Sequence, residues 1–486
     1  MPIFPGSSIP SADTGYTIDQ SMYFGDAPST GPKMSRQFDE AGSANPKWTF
    51  ATWIKKGGPD TGAKTLYYFR PLAISAGADF EFVINNDSYP DVGNGPLRCN
   101  SWAAGSGDPT WDWTTGYNRL SLLDFSNFYH ICHVIDYTTS PYVFIYVNGV
   151  LMDPDTIYAT KTGAGYGTDF SPQSGDTFFI GSNYSNQCGN GYFADTYWIE
   201  QQALNPVGTF GEFSEDTGQF VPIEYTGTYS GNSFYLDYSD SSDFGADRSG
   251  LSNDFTVASI PATQQMLDTP TNTFANWNPL WGRTGTMPAL TDGSRGGVSP
   301  AARQCPITAT IAGLVSGKWY WEYDVVGLGG VDMDIGVLNT SGQMADISTG
   351  NGHTYRWYIS SSGNKQSDTS GSTVAYGDSF AAADIVGVAL DMDNGAIYFS
   401  KNGTWQDSGD PTSGASKTGA AYTDLLSAVP STGWAPFMIS NNASCKATVN
   451  FGPDSSFAGS KTAQGNQDSN GKGDFYYAPP TDYLAL

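Results

Sequence analysis

The stretch from Asp384 to Gly403 reads Asp-Ile-Val-Gly-Val-Ala-Leu-Asp-Met-Asp-Asn-Gly-Ala-Ile-Tyr-Phe-Ser-Lys-Asn-Gly. Its two apolar runs, Ile385–Asp391 and Ala396–Phe399, are separated by a short segment of Met, Asp, Asn and Gly. Apolar runs of this length bounded by turn residues are typical of β-strands. Asn402-Gly403, at the end of the stretch, is the strongest short signal for a tight hairpin. The stretch therefore predicts consecutive antiparallel strands.

The same pattern recurs along most of the chain. Trp48–Ile54 alternates aromatic or aliphatic residues with small polar ones, which is the period of a half-buried strand. Asn148-Gly149 follows the apolar run Tyr142–Val147 and predicts another hairpin. Strands at this spacing without helical periodicity predict an all-β fold of two antiparallel β-sandwich (jelly-roll) domains joined by a turn-rich connector. The other strand-like runs are 66–69, 80–84, 128–137, 177–180, 234–238, 319–324, 331–337, 354–359 and 447–451.

Charge and composition narrow the class of protein. The chain has 486 residues and a formal net charge of −26. Because Lys and Arg must neutralise phosphates, this balance argues against a protein that binds nucleic acid or anionic membranes. Aromatic residues make up 14% of the chain, too many for a disordered coil. Only seven of the 48 acidic residues are Glu, and the prevalent Asp favours turns.

Cysteine usage and apolar runs give no sign of a disulfide framework or a membrane segment. The five Cys are far apart and lack C-x-x-C spacing, which predicts buried thiols and no zinc site, with a single disulfide as the alternative. The opening Met1-Pro-Ile-Phe-Pro-Gly6 has no cationic region followed by an apolar core, so no Sec signal peptide is expected. The longest apolar run, Tyr142–Val147, is too short to span a bilayer. We expect a soluble protein without membrane insertion.

Composition shifts divide the chain into five segments. They are an N-terminal arm at 1–35, a jelly roll at 36–206, a connector with an added strand at 207–280, a second sandwich at 281–453 and a C-terminal tail at 454–486. The arm is expected to dock as an edge strand through Tyr16–Phe24. The tail, rich in Ser, Gly, Asn and Lys, is expected to be mobile. Both have the composition of tethers that lie on neighbouring chains.

Four segments of the first half form a recognisable pattern. They are Trp48-Thr-Phe-Ala-Thr-Trp-Ile-Lys-Lys56, Phe128-Tyr-His130, Val143-Phe-Ile-Tyr-Val-Asn-Gly149 and Ala194-Asp-Thr-Tyr-Trp-Ile-Glu-Gln-Gln-Ala-Leu204. They resemble the W-T-x-x-x-W-x-K strand, the W-x-H…V-x-L-Y-V-N-G pair and the closing strand of concanavalin-A-like, laminin-G-like jelly rolls. The resemblance covers roughly residues 16–206.

Three ordered motifs of the second half resemble SPRY domains. Gly317-Lys-Trp-Tyr-Trp-Glu322 is similar to their G-x-x-Y-W-E strand, and Asp384–Gly403 to their D-x-x-G-x-x-x-D-x-x-x-G-x-x-x-F-x-x-N-G hairpin. Trp434-Ala-Pro-Phe437 and Val449-Asn-Phe-Gly452 resemble the final strand pair. The resemblance implies a SPRY sandwich over about 281–453. SPRY domains in general bind partners through loops at one edge of the sandwich.

The combination of the two modules resembles virion proteins of tailed bacteriophages, many of them marine, of the tail-fibre or lectin-like kind. Tyr16-Thr-Ile-Asp-Gln-Ser-Met-Tyr-Phe24 resembles their opening, and Phe210-Gly-Glu-Phe213 and Asp268-Thr-Pro-Thr-Asn272 resemble their connector. The resemblance implies that the protein is made in the host cytoplasm and is exposed on the assembled virion. It also implies other virion proteins as partners and a homo-oligomer, with a trimer favoured.

Carboxylate spacing argues against a glucanase. Retaining glycosidases need two carboxylates about 5–5.5 Å apart, and in jelly-roll glucanases these come from two Glu four or five residues apart. Glu212 and Glu215, the only Glu that lie so close together, are three apart in a Gly-rich segment. Asp332-Met-Asp334 and Asp391-Met-Asp393 each place two carboxylates on one strand face, and the second pair sits where Asp caps a turn.

Histidine placement gives no catalytic or metal site either. His130 and His133 are three apart on one predicted strand, so they face opposite sides of the sheet and cannot share a metal ion. They are predicted to be core or interface residues. No catalytic residue is predicted, and we expect no enzymatic activity.

Aromatic residues in polar loops are the remaining candidates for a binding site. Sugar C–H faces stack on Trp and Tyr rings, while Asp and Asn bond the hydroxyl groups. The segment 88–118 has this composition, and the second sandwich has equivalents. Core packing is the alternative for each. The glycan-binding candidates are Tyr89, Trp102, Trp111, Trp113, Tyr117, Tyr355, Trp357 and Trp405.

Calcium is the one cofactor that the sequence leaves open. Jelly rolls of this kind often hold a structural Ca²⁺ through loop Asp and Asn oxygens. Asp153-Pro-Asp155 and Asp240-Ser-Ser-Asp243 offer such oxygens, although no EF-hand spacing is present. Solvated turns are the default, so no metal ligand is assigned.

The sequence thus predicts a non-enzymatic virion structural protein. The favoured role is a tail-fibre or tail-associated surface protein that recognises host-surface glycan. The alternative is a capsid decoration, head-fibre or assembly protein that binds other virion proteins. A glycan depolymerase is the third hypothesis.

Overall fold

The computed structural model describes most of the chain. Within 64–70, 79–81, 83–84, 97–102, 109–115 and 154–158 the description is of the backbone. The described residues are 15–25, 32–40, 47–58, 64–70, 79–84, 97–102, 109–115, 124–139, 143–152, 154–158, 174–181, 190–280, 288–298, 306–339, 356–367, 372–427, 432–440, 442 and 444–486.

The described residues are almost entirely β-structure, which confirms the predicted all-β fold class. They belong to two compact units, Ile9–Asn272 and Thr273–Leu486. This division differs from the five predicted segments, because most of the connector joins the first unit and the tail joins the second. Helical structure in the described part consists of short 3₁₀ turns at Ala262–Gln264, Gln406–Ser408 and Gly414–Ser416.

The described part of the first unit contains eighteen strands. They are β1 (Ser21–Phe24), β2 (Lys33–Gln37), β3 (Lys47–Lys56), β4 (Lys64–Arg70), β5 (Asp79–Ile84), β6 (Leu97–Trp102), β7 (Pro109–Thr115), β8 (Tyr129–Asp136), β9 (Val143–Val147), β10 (Val150–Leu151), β11 (Pro154–Tyr158), β12 (Thr177–Ile180), β13 (Gly191–Glu200), β14 (Gly211–Phe213), β15 (Phe220–Pro222), β16 (Phe234–Leu236), β17 (Thr256–Ala258) and β18 (Gln265–Met266).

Two eight-stranded antiparallel sheets dominate the first unit. One has the order β10-β9-β8-β3-β13-β1-β18, with β16 also pairing with β13. The other has the order β11-β7-β6-β5-β4-β12-β2-β17, and β14 and β15 form a separate hairpin. The side chains between the sheets include Trp48, Phe82, Phe178 and Trp198, all fully buried in one apolar cluster. Strand β3 supplies this core through Trp48, Phe50 and Ile54, which lie on one face of the strand.

The N-terminal arm forms interior strands, whereas an edge strand was predicted. Strand β1 pairs with β13 on one side and β18 on the other. Strand β2 lies between β12 and β17. The predicted edge positions are filled by β17 and β18, which come from the connector, so a local pattern could not show what would cover the arm.

Among the residues that the structure describes, the second unit contains thirteen strands in two antiparallel sheets of order β19-β20-β31-β22-β27-β28-β29 and β21-β30-β23-β24-β25-β26. They are β19 (Ala289–Thr291), β20 (Gly296–Val298), β21 (Ile307–Thr308), β22 (Lys318–Gly327), β23 (Met333–Asn339), β24 (Arg356–Ser360), β25 (Asn364–Ser367), β26 (Thr373–Ala375), β27 (Ile385–Asp391), β28 (Ala396–Lys401), β29 (Thr404–Trp405), β30 (Trp434–Ser440) and β31 (Lys446–Asn450).

The C-terminal tail packs on its own unit, whereas mobility was predicted. Phe475 and Tyr483 are fully buried against Tyr320 and Tyr398 on the outer face of the first sheet. The backbone of Leu484 accepts from Tyr320 N at 2.8 Å and donates to Lys318 O at 3.0 Å, beyond the point where β31 ends. The tail packs because a few apolar residues are spaced through an otherwise polar segment. The average composition, on which the prediction of mobility was based, does not show them.

Both predicted Asn-Gly hairpins are present and are closed in the same way. Asn148 and Asn402 have φ of 47° and 50°, in the left-handed region that Asn tolerates better than most residues. Asn148 Oδ1 accepts from His130 N at 2.7 Å, and Asn402 Oδ1 accepts from Ile385 N at 2.8 Å. Each side chain therefore satisfies a backbone N–H at the start of a long strand, at the second residue of β8 and at the first residue of β27.

Candidate functional site

The tryptophans predicted for the first unit lie on two neighbouring strands. Trp102 ends β6, and Trp111 and Trp113 lie on β7. Across the pair, Trp111 is opposite Ser101 and Trp113 is opposite Cys99, while Trp102 is opposite Pro109. The backbone thus brings three candidates to one hairpin. Tyr89 and Tyr117 lie outside the described residues.

The candidates of the second unit have different surroundings. Trp357 is fully buried, 4.7 Å from Trp434 in an edge-to-face contact, so it is a core residue and cannot stack on a sugar. Its indole N–H donates to Asp424 at 3.3 Å. Trp405 is half-buried beside Tyr320 and stays a candidate. Tyr355 lies outside the described residues.

The two described histidines occupy opposite faces of β8, as their spacing predicts. His133 lies in the core between Trp48 and Phe82, at centroid distances of 5.1 and 4.9 Å. His130 is 4.9 Å from Trp53 and 5.3 Å from Phe220 on the other face. Burial lowers the pKa of each histidine to about 3, so both are neutral at pH 7. Neither is placed to act as a base.

The paired aspartates do not form paired acids. Asp391 is buried and accepts from Asp393 N and Asn394 N, which is the predicted capping of the turn. Asp332 is exposed ahead of β23 and accepts from Ser361, whereas Asp334 is buried within that strand. The two members of each pair therefore have different surroundings.

The other carboxylates singled out in the sequence are also explained by local structure. Glu212 and Glu215 are both exposed, one on β14 and one in the following turn. Asp240 accepts from Ser242 N and Oγ, so it closes a turn. Asp153 lies outside the described residues. No group of three His, Cys, Asp or Glu side chains suited to hold a metal ion occurs in the part of the chain that the structure describes.

A buried carboxylate that the sequence reading missed lies in the first unit. Asp195 is 3% exposed and accepts from Tyr16 Oη at 2.7 Å and Tyr235 Oη at 2.8 Å. Tyr197 Oη lies 3.4 Å away, within weaker hydrogen-bond range. Burial raises the pKa of Asp195 to about 6, although the three tyrosine hydroxyls work in the opposite direction.

A bulge in β13 positions this carboxylate. The register to β3 shifts between Ala194 and Tyr197, and Asp195 has a φ of 42°. On its other side β13 pairs first with β1 and then with β16. The bulge lies where these two partners meet, so Asp195 links the arm to the connector through their tyrosines. A lone Asp within the aromatic run Tyr192–Ile199 is the sequence signal that could have revealed it.

The second unit has a counterpart in Glu322 on β22. It is fully buried, and its two carboxylate oxygens accept from the backbone N–H groups of Tyr476 and Tyr477, each at 2.8 Å. Tyr320 Oη donates to the same carboxylate at 2.9 Å. Burial raises the pKa of Glu322 to about 7, against the effect of these hydrogen bonds. Glu322 therefore anchors the tail.

The first unit also contains a buried ion pair. Lys55 Nζ lies 2.7 Å from Asp268 Oδ2, and both side chains are almost inaccessible to water. Asp268 lies two residues after β18, and its backbone carbonyl accepts from Ser21 Oγ at 2.6 Å. Breaking one side of such a pair costs about 3–5 kcal/mol because an uncompensated charge stays buried.

These buried groups hold segments of the chain together. Each is enclosed and bonded to distant parts of its own unit. Within the described residues, no helix is both long enough and apolar enough to cross a membrane.

Comparisons with known proteins agree with the second resemblance. The model of the SPRY domain family matches residues 318–453, so this segment is a SPRY domain. No curated protein matches the chain. Similar solved structures include the SPRY domain of human HERC1 (17% identity, TM-score 0.27, covering 36% of this chain and 96% of that one), the native heptameric SAP-like pentraxin from Limulus polyphemus (14%, 0.25, 39% and 80%) and stonustoxin (15%, 0.26, 36% and 26%).

Proposed function

We propose that this chain is a non-enzymatic structural protein of a bacteriophage virion, exposed on the particle as a tail-fibre or tail-associated protein that recognises host-surface glycan. One observation carries the binding role: residues 318–453 are a SPRY domain, a type of module that binds partners. The virion setting is supported by the resemblance of almost the whole chain to phage virion proteins.

The hairpin of β6 and β7 is the favoured glycan contact. Trp102, Trp111 and Trp113 come from adjacent strands, so their Cα atoms lie within a small area of one sheet. Such an aromatic area suits the stacking of sugar rings. Trp405 offers a second contact on the SPRY domain.

A glycan array with the purified full chain tests the recognition claim, and a host-adsorption assay with added protein tests its setting. We expect selective glycan binding, and adsorption inhibited by the added protein. Trp111→Ala and Trp113→Ala should weaken binding at least tenfold, whereas Val374→Ala, at an exposed position of the second unit, should not. No glycan binding together with unaffected adsorption would contradict the proposal.

Capsid decoration, with binding to other virion proteins, is the competing function. Imaging of labelled particles separates the two. A signal confined to the distal tail agrees with receptor recognition, whereas a signal that tiles the capsid lattice favours decoration.

A further inference from the structure

A cluster of exposed apolar side chains lies at one end of the first sheet of the first unit. Val150, Leu151, Val207 and Phe213 are each between 40% and 53% exposed. They are four of the ten large apolar residues that are exposed in the described part of the chain. We call these four residues the edge patch.

Contacts around Gly149 show that the patch is continuous. A Cβ atom at Gly149, which directly precedes Val150, would lie 3.1 Å from Val207 Cγ2 and 2.7 Å from the Phe220 ring. The Phe220 ring is in turn 5.4 Å from that of Phe213. The hairpin of β14 and β15 therefore packs beside the Asn148-Gly149 turn, and the apolar surface runs from β10 across to Phe213.

The patch includes the edge of strand β10 that no described strand covers. Strand β10 ends its sheet, and among the described residues it pairs with β9 alone. Met152 N donates to Ile145 O at 2.8 Å across that pair. Because backbone groups alternate in direction along a strand, the N–H and C=O of Leu151 point away from β9. An apolar edge with outward backbone groups is a template for another strand.

The surroundings of the patch are acidic. Glu212, Glu215 and Asp216 are exposed on β14 and in the turn after it. Neither 143–152 nor 205–224 contains a Lys or Arg. A second copy of this chain would bring the same negative charges to the contact, and like charges across an interface oppose association.

We propose that the edge patch docks an extended segment of another protein, in which apolar residues alternate with or are flanked by Lys or Arg. The segment adds a strand to β10 through the backbone of Leu151. Its apolar side chains cover Val207 and Phe213, and its cations lie beside Glu212 and Glu215. This protein-binding surface is separate from the glycan contact proposed above and stands or falls independently of it.

A peptide-binding measurement on the full chain tests the proposal. The probe is the labelled, end-blocked heptapeptide Lys-Val-Thr-Val-Lys-Val-Lys, followed by fluorescence anisotropy at physiological salt. Leu151→Asp and Phe213→Ser should each raise the Kd at least tenfold, and Glu212→Lys should raise it several-fold. Val374→Ser, equally exposed on the second unit, should leave it unchanged. Unaltered melting temperatures confirm that each variant is folded.

Hydrogen exchange distinguishes strand addition from simple attraction to an acidic protein. The peptide should slow exchange in the segment 143–152, and the same peptide with Glu in place of Lys should not bind. Equal affinity of the chain and its Leu151→Asp variant would overturn the proposal. Light scattering that finds a dimer dissociated by Leu151→Asp would also overturn it, since the occupant would then be a second copy.

Discussion

The two units both hold a chain segment in place with a buried carboxylate, but their stabilities should depend on pH in opposite directions. Each uses one buried carboxylate to fasten a segment from near its own end: Asp195 binds the Tyr16 hydroxyl of the arm, and Glu322 binds two backbone N–H groups of the tail. The first unit, however, also buries His130 and His133. The described part of the second unit contains no histidine. Buried acids and buried histidines respond to pH in opposite directions, so the two units should too.

Removal of the tail should produce the largest difference in stability between the two units. A chain ending at residue 453 loses Phe475, Tyr483 and Leu486, each buried in the second unit. At roughly 2 kcal/mol per buried side chain, the loss is about 6 kcal/mol, comparable with the whole stability of a domain. We expect the second unit to unfold while the first keeps its hydrogen-exchange protection.

Phe475→Ala in the full chain is the milder form of the same experiment, with an expected loss of about 3–5 kcal/mol from the second unit. Lys472→Ala, at an exposed tail position, serves as the control. A truncated chain whose second unit melts as in the full chain would show that the tail is the mobile tether that its composition suggests.

Acid should destabilise the first unit and stabilise the second. His130 and His133 have a folded pKa of about 3 against 6.5 when unfolded, so their contribution is complete above pH 6.5 and declines as the pH falls. At pH 5 the two together lose about 4 kcal/mol. Asp195, with its raised pKa of about 6, offsets about 1 kcal/mol of this loss.

Glu322 gives the stability of the second unit the opposite dependence on pH. Its folded pKa of about 7 lies above the unfolded value of 4.5, so its contribution is complete below pH 4.5 and is lost as the pH rises through 7. Between pH 8 and pH 5 the second unit should gain about 3 kcal/mol. Urea unfolding at both pH values, followed by hydrogen exchange of segments from each unit, measures the two slopes. Glu322→Gln should flatten the second slope alone, and parallel slopes in the two units would refute this account.

The Asn-Gly hairpins are where the units should respond alike. Asn148→Ala and Asn402→Ala each remove the acceptor for a strand N–H and place Ala at a positive φ, for an expected loss of about 1–3 kcal/mol. The matching Gly variants relieve the backbone strain and isolate the hydrogen bond. Thermal melting of the four variants gives the comparison. A large loss in one unit and none in the other would mean that the shared geometry is not a shared source of stability.

Sequence patterns predicted strands well because strand formation is decided locally. The bounds of β12 and β27 coincide with the predicted runs, since alternation and flanking turn residues both lie within a few positions. The arm was misplaced because its neighbours β17 and β18 come from far along the chain. Asp195 and Glu322 were missed for the same reason, as Tyr16 is 179 residues from Asp195 and Tyr477 is 155 residues from Glu322. Trp357 lies in the predicted strand run 354–359 and is buried against Trp434 of β30, so core packing, the alternative for each aromatic candidate, applies to it.

The smallest predicted effect is that of removing the hydrogen bond between Tyr16 of the arm and Asp195. Tyr16→Phe removes one hydroxyl donor to Asp195 but keeps the ring, and Tyr235 continues to bond the carboxylate. A single hydrogen bond to a charged group contributes about 1.5–3 kcal/mol, and the shared network lowers the expected loss to about 1 kcal/mol. A double-mutant cycle with Tyr235→Phe should show coupling, because the two hydroxyls lie 3.2 Å apart. Strict additivity in urea unfolding would mean that the arm is held by the pairing of β1 and not by Asp195.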